Sequence, residues 1–177
     1  MQHLSYFVAC SADGFIAHED GTWQGFLETG AHVDDYITSL NTFGTVIMGR
    51  KTYEVGLQAG VTNPYPMLTS YVVSSAMTQS PDAHVKLVNS DPIAFTRDLK
   101  QQADGPIYLC GGSTLASQLL QAGLVDKVIL KVNPIIFGKG IPVFKDDTLT
   151  TSLNLIKTDS YSNGCVWLHY EVAQDAE

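Results

Sequence analysis

The stretch Thr45-Val-Ile-Met-Gly-Arg-Lys-Thr-Tyr-Glu54 decides the fold, because an apolar segment runs directly into a glycine, two cations and a threonine. Residues 46–48 are predicted as a buried strand, and a short helix is predicted after Arg50. A glycine lets the backbone approach an anion, the free N–H groups of a helix start point at it, and arginine donates a fork of hydrogen bonds. Arg50 and Lys51 are also the first cations of the chain. The stretch therefore predicts a strand–glycine–helix junction that binds phosphate.

A second junction of this kind is predicted at Pro106-Ile-Tyr-Leu-Cys-Gly-Gly-Ser-Thr-Leu115, where an apolar strand ends in two glycines and a helical pattern follows. In open α/β sheets, anionic ligands lie across the carboxyl ends of the strands. Two junctions together indicate one elongated anionic ligand, and a dinucleotide fits. Either junction alone is equally consistent with glycines that merely end a strand. Neither Gly-x-Gly-x-x-Gly nor Gly-x-x-x-x-Gly-Lys-[Ser/Thr] occurs, so an ordinary Rossmann domain and a phosphate-loop NTPase are not supported.

Composition indicates one domain that spans residues 1–177. The 45% hydrophobic content of the 177 residues is enough for one core, and no Pro/Gly/Ser-rich linker divides the chain. No apolar run approaches the roughly 20 residues that cross a bilayer, and the N-terminus has no signal-like segment. The formal net charge of -8 argues against nucleic acid, whose binding depends on neutralising phosphates. We therefore expect a cytoplasmic protein with a small-molecule substrate and no nucleic-acid or membrane partner.

The cysteines and histidines indicate reduced thiols and no metal site. Cys10, Cys110 and Cys165 lie in or at the end of predicted strands without a Cys-x-x-Cys spacing, which is typical of core thiols. A catalytic role for Cys110 is disfavoured, because no His or cation flanks it in sequence to stabilise a thiolate. The five histidines are scattered without the spacing of metal ligands, so no metal is expected.

Strand and helix patterns alternate along most of the chain. Strands are predicted at residues 4–10, 46–48, 70–74, 85–88, 107–110 and 125–132, and helices at 31–41, after Arg50, from Pro92 and at 113–121. Residues 11–30 and 137–142 are predicted as loops, and residues 153–161 and 166–172 as a hairpin turned by Ser162-Asn163-Gly164. We therefore predict an α/β fold with a mostly parallel central sheet, helices on both faces and an antiparallel C-terminal hairpin.

Five segments resemble the dihydrofolate reductase-like superfamily, and most closely its branch related to the C-terminal reductase domain of the bifunctional riboflavin biosynthesis protein. They occur in the order of the family and span nearly the whole chain. The matching segments are Val8-Ala-Cys-Ser-Ala-Asp-Gly-Phe-Ile-Ala17, Ile47-Met-Gly-Arg-Lys-Thr-Tyr-Glu54, Val73-Ser-Ser75, Tyr108-Leu-Cys-Gly-Gly-Ser-Thr-Leu115 and Asn133-Pro-Ile-Ile-Phe-Gly-Lys-Gly-Ile-Pro142. The resemblance implies an NADPH-dependent oxidoreductase with a dihydrofolate reductase-like fold.

The resemblance also assigns cofactor contacts by motif. Contacts with the pyrophosphate and the adenosine phosphate are implied for Gly49, Arg50, Lys51 and Thr52. The 2′-phosphate is expected to meet Ser74 and Ser75, with Arg50 nearby, which favours NADPH over NADH. A second phosphate cradle, with a Gly-Gly bond that is often cis in the family, is implied for Gly111, Gly112, Ser113 and Thr114. The nicotinamide pocket is expected to be lined by Ala9 and Ile16, under a mobile loop at residues 11–23.

A reductase of this kind needs a proton as well as a hydride. In dihydrofolate reductase a carboxylate on the helix before the Met-Gly-Arg strand orients the pterin, and the corresponding helix here offers Asp34 and Asp35. We assign the catalytic role to Asp34. An equally weighted alternative is that both acids complement the helix N-terminus. Asp13 in the mobile loop is a further candidate, although the neighbouring Gly14 favours a turn-forming role.

Two departures from the family narrow the substrate. The riboflavin-branch reductase acts on a phosphoribosylamino-pyrimidine, yet no Lys or Arg precedes Arg50, and the lysine that this branch carries before its Ser-x-Asp-Gly segment falls near Phe7 here. The arginine expected to bind the glutamate tail of folate is not evident in residues 56–70. We therefore expect hydride transfer to a small, weakly charged heterocyclic or carbonyl substrate, by an enzyme similar to 5-amino-6-(5-phosphoribosylamino)uracil reductase of riboflavin biosynthesis.

Two alternatives to this function are dihydrofolate reductase activity and a non-catalytic nucleotide-binding module on the same fold. Binding of NADPH without hydride transfer to carbonyl, pterin and flavin compounds would favour the module.

A homodimer is expected, because the apolar Tyr6 and Phe7 and the strand-rich C-terminal half favour self-association.

Overall fold

The computed structural model describes residues 1–145 and 150–173, and strands and helices alternate along them. The strands are β1 (Leu4–Ser11), β2 (Phe15–Ala17), β3 (Thr45–Gly49), β4 (Thr69–Val73), β5 (Val85–Val88), β6 (Ile107–Gly111), β7 (Lys127–Asn133), β8 (Ile141–Pro142), β9 (Leu153–Ser160) and β10 (Val166–Val172). The helices are α1 (Ala31–Leu40), α2 (Arg50–Gln58), α3 (Pro92–Gln102) and α4 (Ser113–Gln121). No helix in the described ranges is long and apolar enough to cross a membrane.

Eight of the strands form one sheet in the order β5-β4-β3-β6-β1-β7-β10-β9. The six strands from β5 to β7 are parallel. β10 runs antiparallel to β7 and pairs with β9 in a hairpin, whose turn places Gly164 at a φ of 90°. The predicted α/β fold, with its mostly parallel sheet and antiparallel C-terminal hairpin, is confirmed.

One pair of helices covers each face of the sheet. α3 and α4 pack on the face that carries Leu4, Tyr6 and Leu109. α1 and α2 pack on the other face, which carries Phe7 and Tyr108 and is called the α1 face below. Successive side chains of a strand point to opposite faces, which is why neighbouring residues of β1 enter different cores. Side chains on the α1 face near the carboxyl ends of β1, β6 and β7 therefore meet under α1.

A small two-stranded sheet, β2 with β8, joins two segments that the sequence predicts as loops. A Cβ on Gly140 would collide with the carbonyl oxygen of Ala17, so the close approach of the two backbones requires glycine there. Each strand has at most three residues, too short for a periodic pattern to reveal. The pairing holds the segment that follows β1 against the segment that follows β7.

Candidate functional site

The two predicted strand–glycine–helix junctions touch each other at the centre of the sheet. β3 and β6 are neighbours, and Met48 is paired with Gly111. A Cβ on Gly49 would lie 3.6 Å from the nitrogen of Gly112 and 3.7 Å from the carbonyl oxygen of Gly111. The Gly111-Gly112 peptide bond is cis, as the resemblance predicts. The two junctions therefore form one continuous surface, as the expectation of a single ligand that meets both requires.

Both helices that follow these glycines begin without a side-chain cap. Gly49 precedes α2 and Gly112 precedes α4, and neither helix start is closed by a side-chain hydrogen bond. The first N–H groups of a helix have no partner inside the helix, so two sets of free donors converge on this point. Thr52 Oγ1 lies 3.3 Å from the position of a Cβ on Gly112. We call Gly49, Thr52, Gly111, Gly112 and the two helix starts the glycine cradle.

The cation at the start of α2 is held by an acid one turn later. Arg50 Nη1 donates to Glu54 Oε1 at 2.6 Å, and both side chains are 38% exposed. Lys51 is exposed. Part of the Arg50 guanidinium is thus hydrogen-bonded to Glu54, although both side chains are accessible to a ligand.

The two serines expected at the 2′-phosphate differ in their surroundings. Ser74 is buried, and its Oγ accepts hydrogen bonds from the backbone nitrogens of Ala76 at 3.1 Å and Met77 at 2.9 Å. Its hydroxyl hydrogen is left to donate. Ser75 is exposed on the same turn. In the second cradle, Ser113 is buried at the start of α4 and Thr114 is exposed.

The segment after β1 is fixed by the carboxylate of Asp13. This carboxylate accepts from Ser11 Oγ at 2.6 Å and from the backbone nitrogens of Phe137 at 3.1 Å and Gly138 at 2.7 Å. These hydrogen bonds, the one from Ser11 foremost, lower the pKa of Asp13. The neighbouring Gly14 has a φ of 85°, so the predicted turn is confirmed. The bonds of Asp13 serve to attach the predicted mobile loop to the segment after β7.

Aromatic rings extend this attachment along the predicted mobile loop. The His18 ring stacks on Phe137 with a centroid distance of 3.9 Å, and Phe26 stacks on the same ring at 5.1 Å. Lys139 pairs with Glu19 at 2.7 Å on the surface. Of the expected nicotinamide residues, Ala9 lies in β1 on the α1 face, whereas Ile16 lies in β2 and packs against the core of the opposite face.

Asp34 lies on the outer side of α1. Residues that α1 turns toward the sheet recur every four positions at His32, Tyr36 and Leu40, and Asp34 is about half a turn from them. Its side chain is exposed. Asp35, also exposed, accepts a hydrogen bond from the hydroxyl of Tyr161 at 2.9 Å. The catalytic role of Asp34 stays a prediction. Among the described contacts, none joins Asp34 to the glycine cradle.

A group of polar side chains that the sequence did not reveal lies between α1 and the sheet. The hydroxyl of Tyr36 is 3.0 Å from that of Tyr108 and 3.3 Å from that of Tyr65, which in turn lies 3.2 Å from Cys110 Sγ. Lys131 Nζ lies 3.4 Å from the centroid of the Tyr36 ring. We call these five residues the tyrosine–lysine cluster.

Burial shapes the acid–base properties of this cluster. It raises the pKa of Tyr36 to about 12, so its phenol stays protonated. Burial also lowers the pKa of Lys131 to about 8, against smaller opposing effects of Cys110 and Cys165. In sequence, the lysine position of the riboflavin branch falls near Phe7, and in the structure Lys131 Nζ lies 5.1 Å from the Phe7 ring. The available signal was a lysine inside the apolar strand Lys127–Asn133, but its face depends on a register that only the structure gives.

Comparison with known proteins is decisive for the family. Residues 2–167 match the RibD C-terminal domain. The chain belongs to the RibD C-terminal domain family. A curated relative, the uncharacterized protein YwjB of Bacillus subtilis strain 168, is 36% identical over 166 residues, which cover 93% of this chain and 94% of YwjB.

Solved structures of riboflavin biosynthesis proteins, of a bifunctional deaminase/reductase and of dihydrofolate reductase share the fold. A candidate riboflavin biosynthesis protein of Shewanella sp. PV-4 superposes with a TM-score of 0.84 at 23% identity, over 98% of this chain and all 100% of the other. The diaminohydroxyphosphoribosylaminopyrimidine deaminase/5-amino-6-(5-phosphoribosylamino)uracil reductase of Thermotoga maritima gives 0.73 at 17% identity, over 97% of this chain and 57% of the other. Dihydrofolate reductase of Enterococcus faecalis, complexed with NADP(H), gives 0.67 at 18% identity, over 97% of both chains. The dihydrofolate reductase-like fold predicted from the sequence is confirmed.

Proposed function

We propose that this protein is an NADPH-dependent oxidoreductase that transfers hydride to a small heterocyclic or carbonyl substrate. This activity would be similar to that of the reductase domain of the bifunctional riboflavin biosynthesis protein. Membership of the RibD C-terminal domain family supports a reductase-like role. The observation that carries the proposal is the glycine cradle, where two uncapped helix starts converge on three glycines. Backbone N–H groups without a partner, beside a backbone that no Cβ covers, suit a pyrophosphate.

The residues present fit a dinucleotide with a 2′-phosphate. Arg50 supplies a guanidinium at the start of α2, Ser75 an exposed hydroxyl and Ser74 one remaining O–H donor. Arginine is suited to a dianionic phosphate because several of its N–H groups donate in one plane. When bound, the reduced cofactor would supply the hydride, and the protein would hold the acceptor against it and exclude water.

The experiment is calorimetric titration of the purified protein with NADPH and then NADH at fixed salt. We expect binding with a clear preference for NADPH. Absence of binding by either nucleotide would contradict the proposal. NADPH binding followed by no hydride transfer to carbonyl, pterin and flavin compounds would favour the non-catalytic module.

We also propose that the protein assembles as a homodimer. The edge strand β9 exposes Leu155 by 56% and Ile156 by 50%, which is a large apolar area for the rim of a sheet. Sedimentation of the wild type and of Leu155→Glu tests this. A wild type that sediments as a monomer at all concentrations would contradict the proposal.

A further inference from the structure

Lys131 occupies an unusual place for a lysine. It lies on β7 with its side chain on the α1 face, and its ammonium contacts the ring faces of Tyr36 and Phe7 at 3.4 and 5.1 Å from the centroids. Lysine is rarely buried without an acidic partner, because removing an ammonium from water is costly. The aromatic rings offset part of that cost through cation–π attraction.

The Lys131 ammonium lacks a hydrogen-bond acceptor among residues 1–145 and 150–173. Lys100, the buried lysine of α3, donates to the Leu124 carbonyl oxygen at 2.7 Å and to Asp126 at 2.6 Å, whereas Lys131 is only partly buried. Lys131 makes neither a hydrogen bond nor an ion pair with the described residues, although an ammonium has three protons to donate. The contrast indicates that Lys100 is structural, whereas the Lys131 ammonium has no acceptor within the described ranges, so a bound ligand can be the partner of Lys131.

The position of Lys131 relative to the expected nicotinamide pocket identifies that partner. Lys131 and Ala9 are paired on adjacent parallel strands, and both side chains lie on the α1 face. Paired strands are about 4.8 Å apart, so a ring that rests on Ala9 lies beside the Lys131 side chain. On the other side of β1, the same face carries Cys110 of β6. A substrate placed against the nicotinamide would therefore lie within the tyrosine–lysine cluster.

We propose that Lys131 is the catalytic residue that binds the oxygen or nitrogen of the hydride acceptor and supplies its proton, an inference that rests on the proposed function. As the carbon of a C=O or C=N group receives the hydride, the π-electron pair moves to the oxygen or nitrogen. Lys131 donates a proton to that atom and is left as a neutral amine. The reduced nicotinamide becomes oxidised, and solvent returns the proton to Lys131.

The surroundings of Lys131 suit this role better than those of Asp34. The lowered pKa of Lys131, about 8, keeps the amine protonated at neutral pH yet able to release its proton. The titratable groups that face it are Tyr36 of α1, Cys110 and Tyr108 of β6, Tyr65 from the loop after α2, and Cys165 before β10. Asp34 is exposed on the opposite side of α1.

The test measures the pKa of Lys131 without needing the substrate. Lysines are dimethylated with isotopically labelled formaldehyde and titrated by NMR in the free protein and in its NADPH and NADP⁺ complexes. Lys131→Arg identifies the Lys131 signal by its loss, and Lys127→Arg, at the other end of β7, is the matched control. The two complexes differ by one positive charge on the nicotinamide ring. If Lys131 faces that ring, its measured pKa is expected to be lower in the NADP⁺ complex by about 1.

The outcomes separate this inference from the proposed function. A Lys131 pKa that differs between the two complexes, while the signals of the other lysines titrate alike, supports the inference. Binding of both nucleotides with the same Lys131 titration in each overturns it and leaves the proposed function standing. Binding of neither nucleotide overturns both.

Discussion

The glycine cradle and the tyrosine–lysine cluster lie on the same sheet, but the chain builds them in different ways. The cradle consists of backbone at the ends of β3 and β6, each followed directly by its helix. The cluster collects side chains from α1, the loop after α2, β6 and β7, which are up to 95 positions apart, from Tyr36 to Lys131. A site made of backbone is formed by consecutive residues and can be recognised in the sequence. A site made of side chains exists only after the elements have packed.

The largest effect is expected from a side chain placed in the cradle. Gly111→Val should reduce the affinity for NADPH and NADH alike by about 1,000-fold, because Gly111 has a φ of 120° and its Cβ would enter the space beside Thr52. Calorimetry measures the loss. Gly60→Val is the matched control, since Gly60 also has a positive φ, 78°, but no atom within 4 Å of an added Cβ. Unchanged affinity in a folded Gly111→Val protein would remove this junction from the site.

The cluster should respond in the stability of the fold. The folded-state pKa of Lys131, about 8, lies below the ordinary 10.5, so at neutral pH both folded and unfolded chains are protonated and the cost of burying the charge is fully present. Between pH 8 and 10.5 the folded chain loses the proton first, and this cost disappears as pH rises. Replacing the lysine with an apolar side chain removes the cost at every pH.

Lys131→Met should therefore be more stable than the wild type at neutral pH by about 3 kcal/mol, and the difference should vanish toward pH 10.5. Denaturant unfolding of both proteins across this range gives the free energies. Lys127→Met, on the same strand, should show no comparable dependence. A Lys131→Met difference that is constant with pH would mean that the buried charge does not determine the stability of the cluster.

A smaller effect is expected at the edge of the cradle. Arg50→Ala should lower the affinity for NADPH by about 10-fold and the affinity for NADH by far less. The reason is that only NADPH carries the 2′-phosphate that the guanidinium is proposed to contact. Paired titrations with the two nucleotides give the ratio. Arg97→Ala, which removes the other arginine of the chain on α3, controls for net charge. Equal losses for both nucleotides would place Arg50 away from the 2′-phosphate.

Local chemistry explains which parts of the fold could be predicted from the sequence. Asp91 and Pro92 predict the start of α3, and in the structure Asp91 accepts from the backbone nitrogen of Ala94 at 2.7 Å. The turn of the hairpin is likewise determined by a glycine with positive φ, Gly164. In both cases one to three adjacent residues determine the local conformation, so no knowledge of distant contacts is needed.

The features that sequence could not reveal depend on register and packing. β2 and β8 pair across more than a hundred residues and are too short to carry a pattern. Lys131 faces α1 only because β7 is paired with β1 in one register, and a shift by one residue would turn it to the other face. The side chain of Asp34 is directed outward for the same reason, since the face of α1 that packs on the sheet is selected by Tyr36 and Leu40.

The ion pair at the start of α2 offers the finest test of how backbone and side chain divide the binding of phosphate. Glu54 pairs with Arg50 and places a negative charge one turn from the cradle. Glu54→Gln should therefore free the guanidinium and raise the affinity for NADPH by about 2-fold to 3-fold. Glu171→Gln on β10 removes the same charge far from the cradle and should leave the affinity unchanged. Because the pair is exposed, the gain should shrink at high salt. A gain that is equal for NADH would show that Glu54 acts on the pyrophosphate, which the backbone binds, rather than on the 2′-phosphate.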